Sequence, residues 1–486
     1  LKVGGIRLDP VEIEEVLNTH PAIAHSAVRL WAPEFHPPRE RCVRCGLADT
    51  VPGTVIDDAG ICNTCHVFEN VKAATHSWFK TPDDLAAVRT RASDRSTGDY
   101  DCLAMLSGGK DSTYALYQLV EQGFRPYAFT LDNGFISEGA KDNIRSVAQA
   151  LGIEYEFATT PAMNTILRDS LATFSNVCHG CYKTIYTLAV NRADELGIPL
   201  IVTGLSRGQL FETRLLPEQF RLDQFDPDEI DRTVIEARKH YHRATDTANR
   251  LLDTAIFDSD DVFEQIEFLD IYRYLDVELE DMLSYLVEHT PWRRPADTGR
   301  STNCLVNVAG IHTHQVEQGY HNYAIPYAWD VRLGHKTRSE AIAELEDDLD
   351  MTEIDGLLAE IGYEPRPRSV LTAWIQPRPG FDAPSPGELR QFVAATLPRH
   401  AVPAAYVTVD ELPMTNNGKI DTRSLAAPSR VHRPSSASLV LPTTEIETTV
   451  VQTWEAVLGI EPVSVTDDFF ALGGDSLAAL GMIMKL

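Results

Sequence analysis

The chain has 486 residues, with 43 Lys and Arg against 71 Asp and Glu, a formal net charge of −28. That balance excludes a uniformly basic, phosphate-tracking surface, and 43% hydrophobic with 23% charged residues excludes wholesale disorder. No run of about 18 apolar residues is present to span a membrane, and at roughly 100–200 residues per domain the length suits two to four domains.

Taken in chain order, Asp9-Pro10 followed by Val11, Ile13, Val16 and Leu17 predicts a helix with Pro in its first turn. Ala27–Leu30 reads as a strand, and Pro37 and Pro38 break the pattern. Leu1, not Met, opens directly into this texture without a charged-then-apolar leader, so the chain is expected to be a fragment that begins inside a domain. Residues 39–68 are rich in Cys, Gly and Asp and read as a small metal-held module. From about residue 100 strands alternate with helices: Leu103–Leu106, a Gly-rich turn, a helix through Leu119, a strand Pro126–Leu131, a helix over 141–151 and a strand Pro199–Thr203. That alternation predicts a parallel sheet covered on both faces.

Residues 223–290 are acidic and read as helical, with a solvated face. In the segment 292–338, Arg300, His312, His314, His321, Asn322, Tyr323, Trp329, Asp330, Arg332, His335, Lys336 and Arg338 crowd together, which favours a substrate or nucleotide wall. Residues 340–364 read as an acidic helix pair. Strands Val370–Ile375 and Ala405–Val409 flank a helix over 387–396. Residues 428–442, rich in Pro and Ser, read as a linker, and 443–486 begin a last helical unit.

The strongest catalytic signal is Ser107-Gly108-Gly109-Lys110-Asp111-Ser112, after an apolar strand and at the start of a helix. Gly108 and Gly109 let backbone approach a phosphate, the helix N-terminus offers free N–H groups, and Ser107, Lys110 and Ser112 add donors. The spacing is not that of the common P-loop. The hexapeptide resembles the signature loop of the PP-loop ATPases (N-type ATP pyrophosphatases). That resemblance implies an α/β fold with a doubly wound parallel sheet, cleavage of ATP between the α- and β-phosphates, and adenylation of a substrate carbonyl oxygen. It also implies that Asp111 organises the loop or a Mg²⁺, that Asp132 in Thr130–Asn133 lies near the nucleotide, and that Gly204 in Thr203–Ser206 closes the site.

Eight Cys are few for this length, and a metal in a reducing, cytoplasmic setting is expected rather than a disulfide framework. Cys42-x2-Cys45 and Cys62-x2-Cys65 have the spacing of a closed four-thiolate Zn²⁺ site, which would be structural. Cys178-His179-Gly180-Cys181 forms a third pair, expected just before a helix; Cys304 stands alone, and Cys102 is expected in the core. The pair and the lone Cys resemble the tRNA two-thiolating sulfurtransferases, which implies a [4Fe–4S] cluster on Cys178, Cys181 and Cys304; a persulfide-carrying pair and purely structural thiols remain open. The ribbon, loop and pair also resemble sugar amidotransferase-like PP-loop proteins, in which ammonia is the nucleophile.

The flanks resemble a different machine. Lys2-Val3-Gly4-Gly5-Ile6-Arg7-Leu8-Asp9-Pro10 and Leu412-Pro413-Met414-Thr415-Asn416-Asn417-Gly418-Lys419-Ile420-Asp421 resemble two core motifs of the adenylation domains of nonribosomal peptide synthetases. The second implies that Lys419 contacts carboxylate and phosphate during acyl-adenylate formation. Asp467–Leu477 resembles the attachment motif of peptidyl carrier proteins, which implies 4′-phosphopantetheine on Ser476. The amino-acid pocket and the later carrier helices are expected to lie outside this chain.

The expected organisation is an adenylation C-terminal subdomain over 1–36, a zinc ribbon over 37–68, a PP-loop domain over 69–368, the small α+β adenylation subdomain resuming over 369–427, a linker over 428–442 and a truncated helical carrier over 443–486. Insertion into an exposed loop makes such an interruption tolerable. The expected activity is ATP-dependent replacement of a carbonyl oxygen of an amino acid or carrier-bound peptide by sulfur, with nitrogen transfer or a non-catalytic docking insert as alternatives. Expected partners are the upstream adenylation subdomain, other synthetase modules, a phosphopantetheinyl transferase and a sulfur or ammonia donor; nucleic acid is disfavoured by the acidic balance.

Overall fold

A computed structural model of the chain describes residues 2–3, 6–7, 9–31, 35, 37–51, 54–213, 215, 226–294, 303–346, 349–366, 370–381, 383–384, 386–398, 401–403, 405–415, 420–421, 425 and isolated positions between 447 and 465. Two compact units are present: Leu1–Glu34 with Pro367–Leu486, and Phe35–Arg366.

The first unit opens with a two-stranded antiparallel ladder, β1 (Lys2–Val3) with β2 (Ile6–Arg7). Helix α1 (Pro10–Asn18) starts where expected, its N-cap Asp9 accepting from Val11 N–H. Strand β3 (Ile23–Trp31) runs longer than Ala27–Leu30 because its partner extends the ladder: Trp31 pairs with Val370 and Ile23 with Pro377.

The second unit begins with the two Cys pairs, then α2 (Asn63–Trp78) and α3 (Pro82–Arg95). The sheet follows: β4 (Cys102–Met105), α4 (Lys110–Glu121), β5 (Pro126–Leu131), α5 (Glu138–Leu151), β6 (Tyr155–Ala158), α6 (Met163–Phe174), α7 (Cys178–Glu195), β7 (Leu200–Thr203), α8 (Arg207–Thr213) and β8 (Glu267–Asp270). Its order is β6-β5-β4-β7-β8, every pairing parallel. Alternation puts Cys102, Ala104, Ala128, Leu200 and Val202 on one face, against Leu85, Val88, Leu116, Leu119, Ile144 and Val147. Leu103, Tyr127, Phe129 and Ile201 face the other way, against Ala189, Val190, Ala193 and Phe257. With both faces covered, the inner strands β4, β5 and β7 read as near-continuous apolar runs.

Several elements differ from expectation. Helix α5 starts at Glu138 rather than 141, because the Ser137 hydroxyl caps it by accepting from Ala140 N–H. Cys178 and Cys181 lie inside the first turn of α7, not ahead of a helix. The acidic stretch 223–290 is not helical throughout: Glu267–Asp270 forms the fifth strand, β8, paired with β7. The strand β6 was also unmarked by its sequence; only its register against β5 reveals it.

Back in the first unit, β9 (Val370–Pro377) is the centre of a three-stranded sheet of order β10-β9-β3, with β10 (Ala405–Thr408) parallel to β9 and β3 antiparallel. Ile13 and Leu17 of α1 pack with Val28, Leu371, Ala373, Ile375, Leu389 and Val393. Among the described residues no helix is long and apolar enough to cross a membrane.

Candidate functional site

In the second unit the chain moves outward from β4 to β5 and β6, then returns to the other side of β4 as β7 and β8. The carboxyl end of β4 is therefore the topological switch point, where open parallel sheets bind ligands. Ser107–Ser112 sits there and borders a cavity of about 370 Å³.

The loop is held by close packing that only glycine permits. Gly108 has φ +77°, and a Cβ on it would meet the Ala140 carbonyl oxygen at 2.4 Å. Its own carbonyl accepts from Trp292 Nε1–H at 3.0 Å and Asn143 Nδ2–H at 3.1 Å. A Cβ on Gly109 would meet Asn303 Oδ1 at 2.5 Å. The Ser107 and Ser112 hydroxyls lie 2.9 Å apart, and Ser112 Oγ accepts from Ser107 N–H at 3.1 Å. Gly109 is the N-cap of α4 and contributes no side chain, so the first-turn N–H groups beside the cavity have no side-chain cap. Free backbone N–H groups at a helix start are the donors an anion takes. Gly204 lines the cavity, with Ser112 Cα 3.1 Å from where its Cβ would be. Of the segment Thr130–Asn133, Thr130, Leu131 and Asn133 line the cavity; Asp132 turns to Lys141 at 3.4 Å and accepts from Gly134 N–H.

Two lysines and three carboxylates line the same space. Lys110 Nζ lies 2.6 Å from Asp111 Oδ2. Burial opposes its charge, but Asp111, with Glu344 and Asp330, outweighs this and raises its pKa. Lys336 Nζ lies 2.7 Å from Glu344 Oε1 and 4.1 Å from the Tyr327 ring centre. Burial would raise the Glu344 carboxyl, yet Lys336 holds it below its ordinary value. Asp330 accepts from Gly208 N–H at 2.7 Å and Ser206 Oγ–H at 3.3 Å; burial nevertheless pushes its pKa up to about 6. The crowded segment thus divides. Tyr323, Asp330, His335 and Lys336 line the cavity, whereas Arg332 and Arg338 face the four-cysteine module. Arg300 lies outside the described residues.

Cys178, Cys181 and Cys304 line the cavity too. Each is only half-buried by exposure, because it opens on the cavity while lying deep in the protein. Asn133 Nδ2 lies 3.4 Å from Cys181 Sγ and 3.3 Å from Cys304 Sγ, its orientation fixed by Oδ1 accepting from Phe135 N–H. The N–H groups of Val306 and Asn307 also point at the Cys304 sulfur. Burial, then the charge of Cys304, pushes the Cys178 thiol up to about 12, and burial lifts Cys181 and Cys304 as well. Burial raises all three thiols, so they need a cation to become thiolates, and soft metals supply it. Their sulfurs are not all within 4.8 Å of one another, as a single ion would require. Three thiol donors opening on one cavity are the donor chemistry that a polynuclear cluster takes. Cys102 is fully buried in β4 and plays no part here.

Cys42, Cys45, Cys62 and Cys65 are all buried, with their sulfurs within 4.8 Å of one another. Cys42 and Cys65 Sγ lie 3.8 Å apart, Cys45 and Cys62 Sγ 3.7 Å. A tetrahedron of thiolates about 2.3 Å from Zn²⁺ has edges of about 3.8 Å, so the donor set fits the ion. Hydrogen bonding from Cys45 and Cys65, aided by the Arg332 charge, lowers Cys62, whereas hydrogen bonding to Cys62 and Cys65 raises Cys45. Lys419 and Ser476 lie outside the described residues.

Glu344, Tyr327, Asn303 and Asn307 were not singled out by sequence, having no spacing motif; each reaches the cavity from a separate element.

Comparison with known proteins fits the flanks. Residues 362–419 match the AMP-binding enzyme C-terminal domain and 448–486 the phosphopantetheine attachment site. Tyrocidine synthase 2 of Brevibacillus parabrevis is 40% identical over 99 residues, 20% of this chain and 3% of that protein. Tyrocidine synthase 3 of Brevibacillus parabrevis is 44% identical over 99 residues, 20% of this chain and 2% of that protein. The chain therefore spans only a small fraction of the length of these relatives. Among solved structures, NMN synthetase from Francisella tularensis is 10% identical, covering 62% of this chain and 98% of its own, with TM-score 0.29. The U34-tRNA thiolase NcsA from Methanococcus maripaludis, with its [4Fe-4S] cluster, is 14% identical, covering 67% and 99%, with TM-score 0.24. Both scores are too low to carry weight.

Proposed function

We propose that residues 35–366 form an ATP-dependent, AMP- and pyrophosphate-forming domain. It replaces a carbonyl oxygen of an amino acid or carrier-bound peptide with sulfur, giving a thioamide or thioacid. One observation supports this above all: the uncapped N-terminus of α4 with Lys110, and the thiols of Cys178, Cys181 and Cys304, border one cavity.

In this reading the first-turn N–H groups of α4, the Ser107 and Ser112 hydroxyls and Lys110 bind the departing pyrophosphate. Asp111 holds a Mg²⁺ and orients Lys110, 2.6 Å away. Lys336 neutralises charge on the transferred phosphate. The substrate carbonyl oxygen attacks the α-phosphorus and pyrophosphate leaves. Hydrosulfide then attacks the carbonyl carbon and loses its proton, and AMP leaves with the original oxygen, so no electrons are exchanged. A [4Fe–4S] cluster on Cys178, Cys181 and Cys304 would supply that sulfide. Asn133 orients Cys181 and Cys304, and Zn²⁺ on Cys42, Cys45, Cys62 and Cys65 would staple the ribbon. Lys419 belongs to a separate acyl-adenylation, and Ser476 carries the phosphopantetheine arm that raises the substrate's effective concentration. The partners are the upstream adenylation subdomain, neighbouring modules, a phosphopantetheinyl transferase and a sulfide donor, in the cytoplasm.

The test is anaerobic incubation of the full chain with α-labelled ATP, sulfide, and amino acids offered free, as amides and on the carrier. The reading expects AMP and pyrophosphate in equal amounts with a sulfur-bearing product. ADP and phosphate, or no ATP binding, would overturn it; a nitrogen-bearing product from ammonia would replace sulfur transfer by amidotransfer.

A further inference from the structure

The four-cysteine module and the cavity share two helices. Helix Ala324–Arg332 carries Tyr327 and Asp330 on the cavity, and helix Arg338–Leu345 carries Glu344. Lys336 lies between them. Each helix is tied to the module by an arginine at its end. Arg332 Nη2 lies 3.1 Å from Cys45 Sγ and 3.5 Å from Cys62 Sγ, and Nε lies 3.4 Å from Cys65 Sγ. Its guanidinium carbon is 4.6 Å from the Trp329 ring centre, which holds the fork in that direction. Arg338 Nε donates to the Cys42 carbonyl at 2.9 Å.

From Arg332 an unbroken chain of contacts reaches the phosphate loop. Asp330, two residues earlier on the same helix, accepts from Gly208 N–H and Ser206 Oγ–H. Helix α8 sits so close that a Cβ on Gly208 would meet the Pro326 carbonyl at 2.2 Å. The turn leading into α8 begins at Gly204, which packs on Ser112 of α4. A four-thiolate zinc centre carries a net charge of −2, and one guanidinium donating to three of its sulfurs is its charge complement. Without the metal the four sulfurs lose their common centre, the fork of Arg332 no longer has three sulfurs held together to meet, and the wall loses its anchor.

We propose that Arg332 is a positioning residue that couples the metal-bound state of Cys42, Cys45, Cys62 and Cys65 to nucleotide affinity at the Ser107–Ser112 loop. The ribbon then reports to the site as well as folding. This rests on the ATP-binding reading above. By linkage the coupling is reciprocal: zinc tightens nucleotide binding by the factor by which nucleotide tightens zinc.

The test uses the full zinc-loaded chain and a non-hydrolysable ATP analogue, α,β-methylene ATP, with zinc quantified in every sample. Arg332→Gln is expected to keep one zinc per chain yet bind the analogue about tenfold more weakly, within the usual range of coupling. Arg332→Lys, which keeps charge but loses the fork, is expected in between. Arg44→Gln, which breaks only the exposed ion pair with Glu69, is the control and should match wild type. Arg332→Gln with one zinc and wild-type affinity would overturn the proposal. Should that variant fail to fold, wild type suffices: saturating analogue should tighten zinc about tenfold in equilibrium competition with a chromogenic chelator, and an unchanged zinc affinity would overturn the proposal. Failure of zinc-loaded wild type to bind the analogue would instead sink the ATP reading, and the coupling with it.

Discussion

Gly108→Ala is the most informative single change in the loop. An alanine at φ +77° costs roughly 1–2 kcal/mol in left-handed backbone. Its Cβ would also lie 2.4 Å from the Ala140 carbonyl oxygen, a backbone atom that cannot swing aside. If the peptide moves away, the Gly108 carbonyl leaves Trp292 Nε1 and Asn143 Nδ2, now at 3.0 and 3.1 Å. Buried donors so stranded cost about 1–3 kcal/mol each. The expected loss of stability is about 4 kcal/mol, with Tm falling by about 10 °C. Analogue affinity should fall with it, because the displaced peptide precedes the α4 N-terminus. Calorimetry and equilibrium dialysis measure both. Gly152→Ala separates strain from clash: Gly152 has φ +66° with nothing within 4 Å of its Cβ, so only about 1–2 kcal/mol should be lost and no affinity. A Gly108→Ala protein as stable as Gly152→Ala would refute the close-packing argument.

Lys336→Met leaves Glu344 part-buried without its partner at 2.7 Å. Unfolding stability should fall by about 2 kcal/mol, less than for a fully buried pair, and Lys336→Met with Glu344→Leu should recover most of it in urea titrations. Asp330 has its folded pKa raised to about 6, so the folded state holds its proton more tightly than the unfolded state does. Its contribution is fully present below pH ~4 and is lost as pH rises through ~6, about 3 kcal/mol in all. Asp330→Asn should flatten that window in urea titrations from pH 4.5 to 7.5; an unchanged slope would remove burial as the cause. Cys45→Ser should lose zinc and lower the melting of the second unit, leaving the first unit's transition in place; a zinc-free variant that melts like wild type would contradict a structural role.

The α/β texture was legible because β4, β5 and β7 are apolar runs ended by a turn, and Ser107–Ser112 because its glycines are a local demand of backbone. The two ribbon pairs were legible because four thiols at that spacing have few other uses. β8 was not: Glu267–Asp270 has acidic residues at both ends and joins the sheet only by pairing with β7. The crowded segment 292–338 was expected to form a wall; its Tyr323, Asp330, His335 and Lys336 line the cavity, but how it divides was not legible. Arg332 and Lys336 are four residues apart, yet one meets sulfur and the other Glu344, a difference made by the turn between two helices. The resemblance pointed to Asp132 near the nucleotide; in the fold that acid serves Lys141, and the amide of Asn133 beside it serves the thiols.

The central claim is that sulfur chemistry and ATP share one cavity. The most direct measurement is anaerobic purification of the chain with zinc, iron and acid-labile sulfide quantified beside an absorption spectrum. The account predicts about one zinc, with four irons and matching sulfide. It also predicts that Cys178→Ala loses the iron but keeps the zinc. Zinc without iron, even after anaerobic reconstitution, would contradict cluster-borne sulfide and leave the three thiols to another nucleophile.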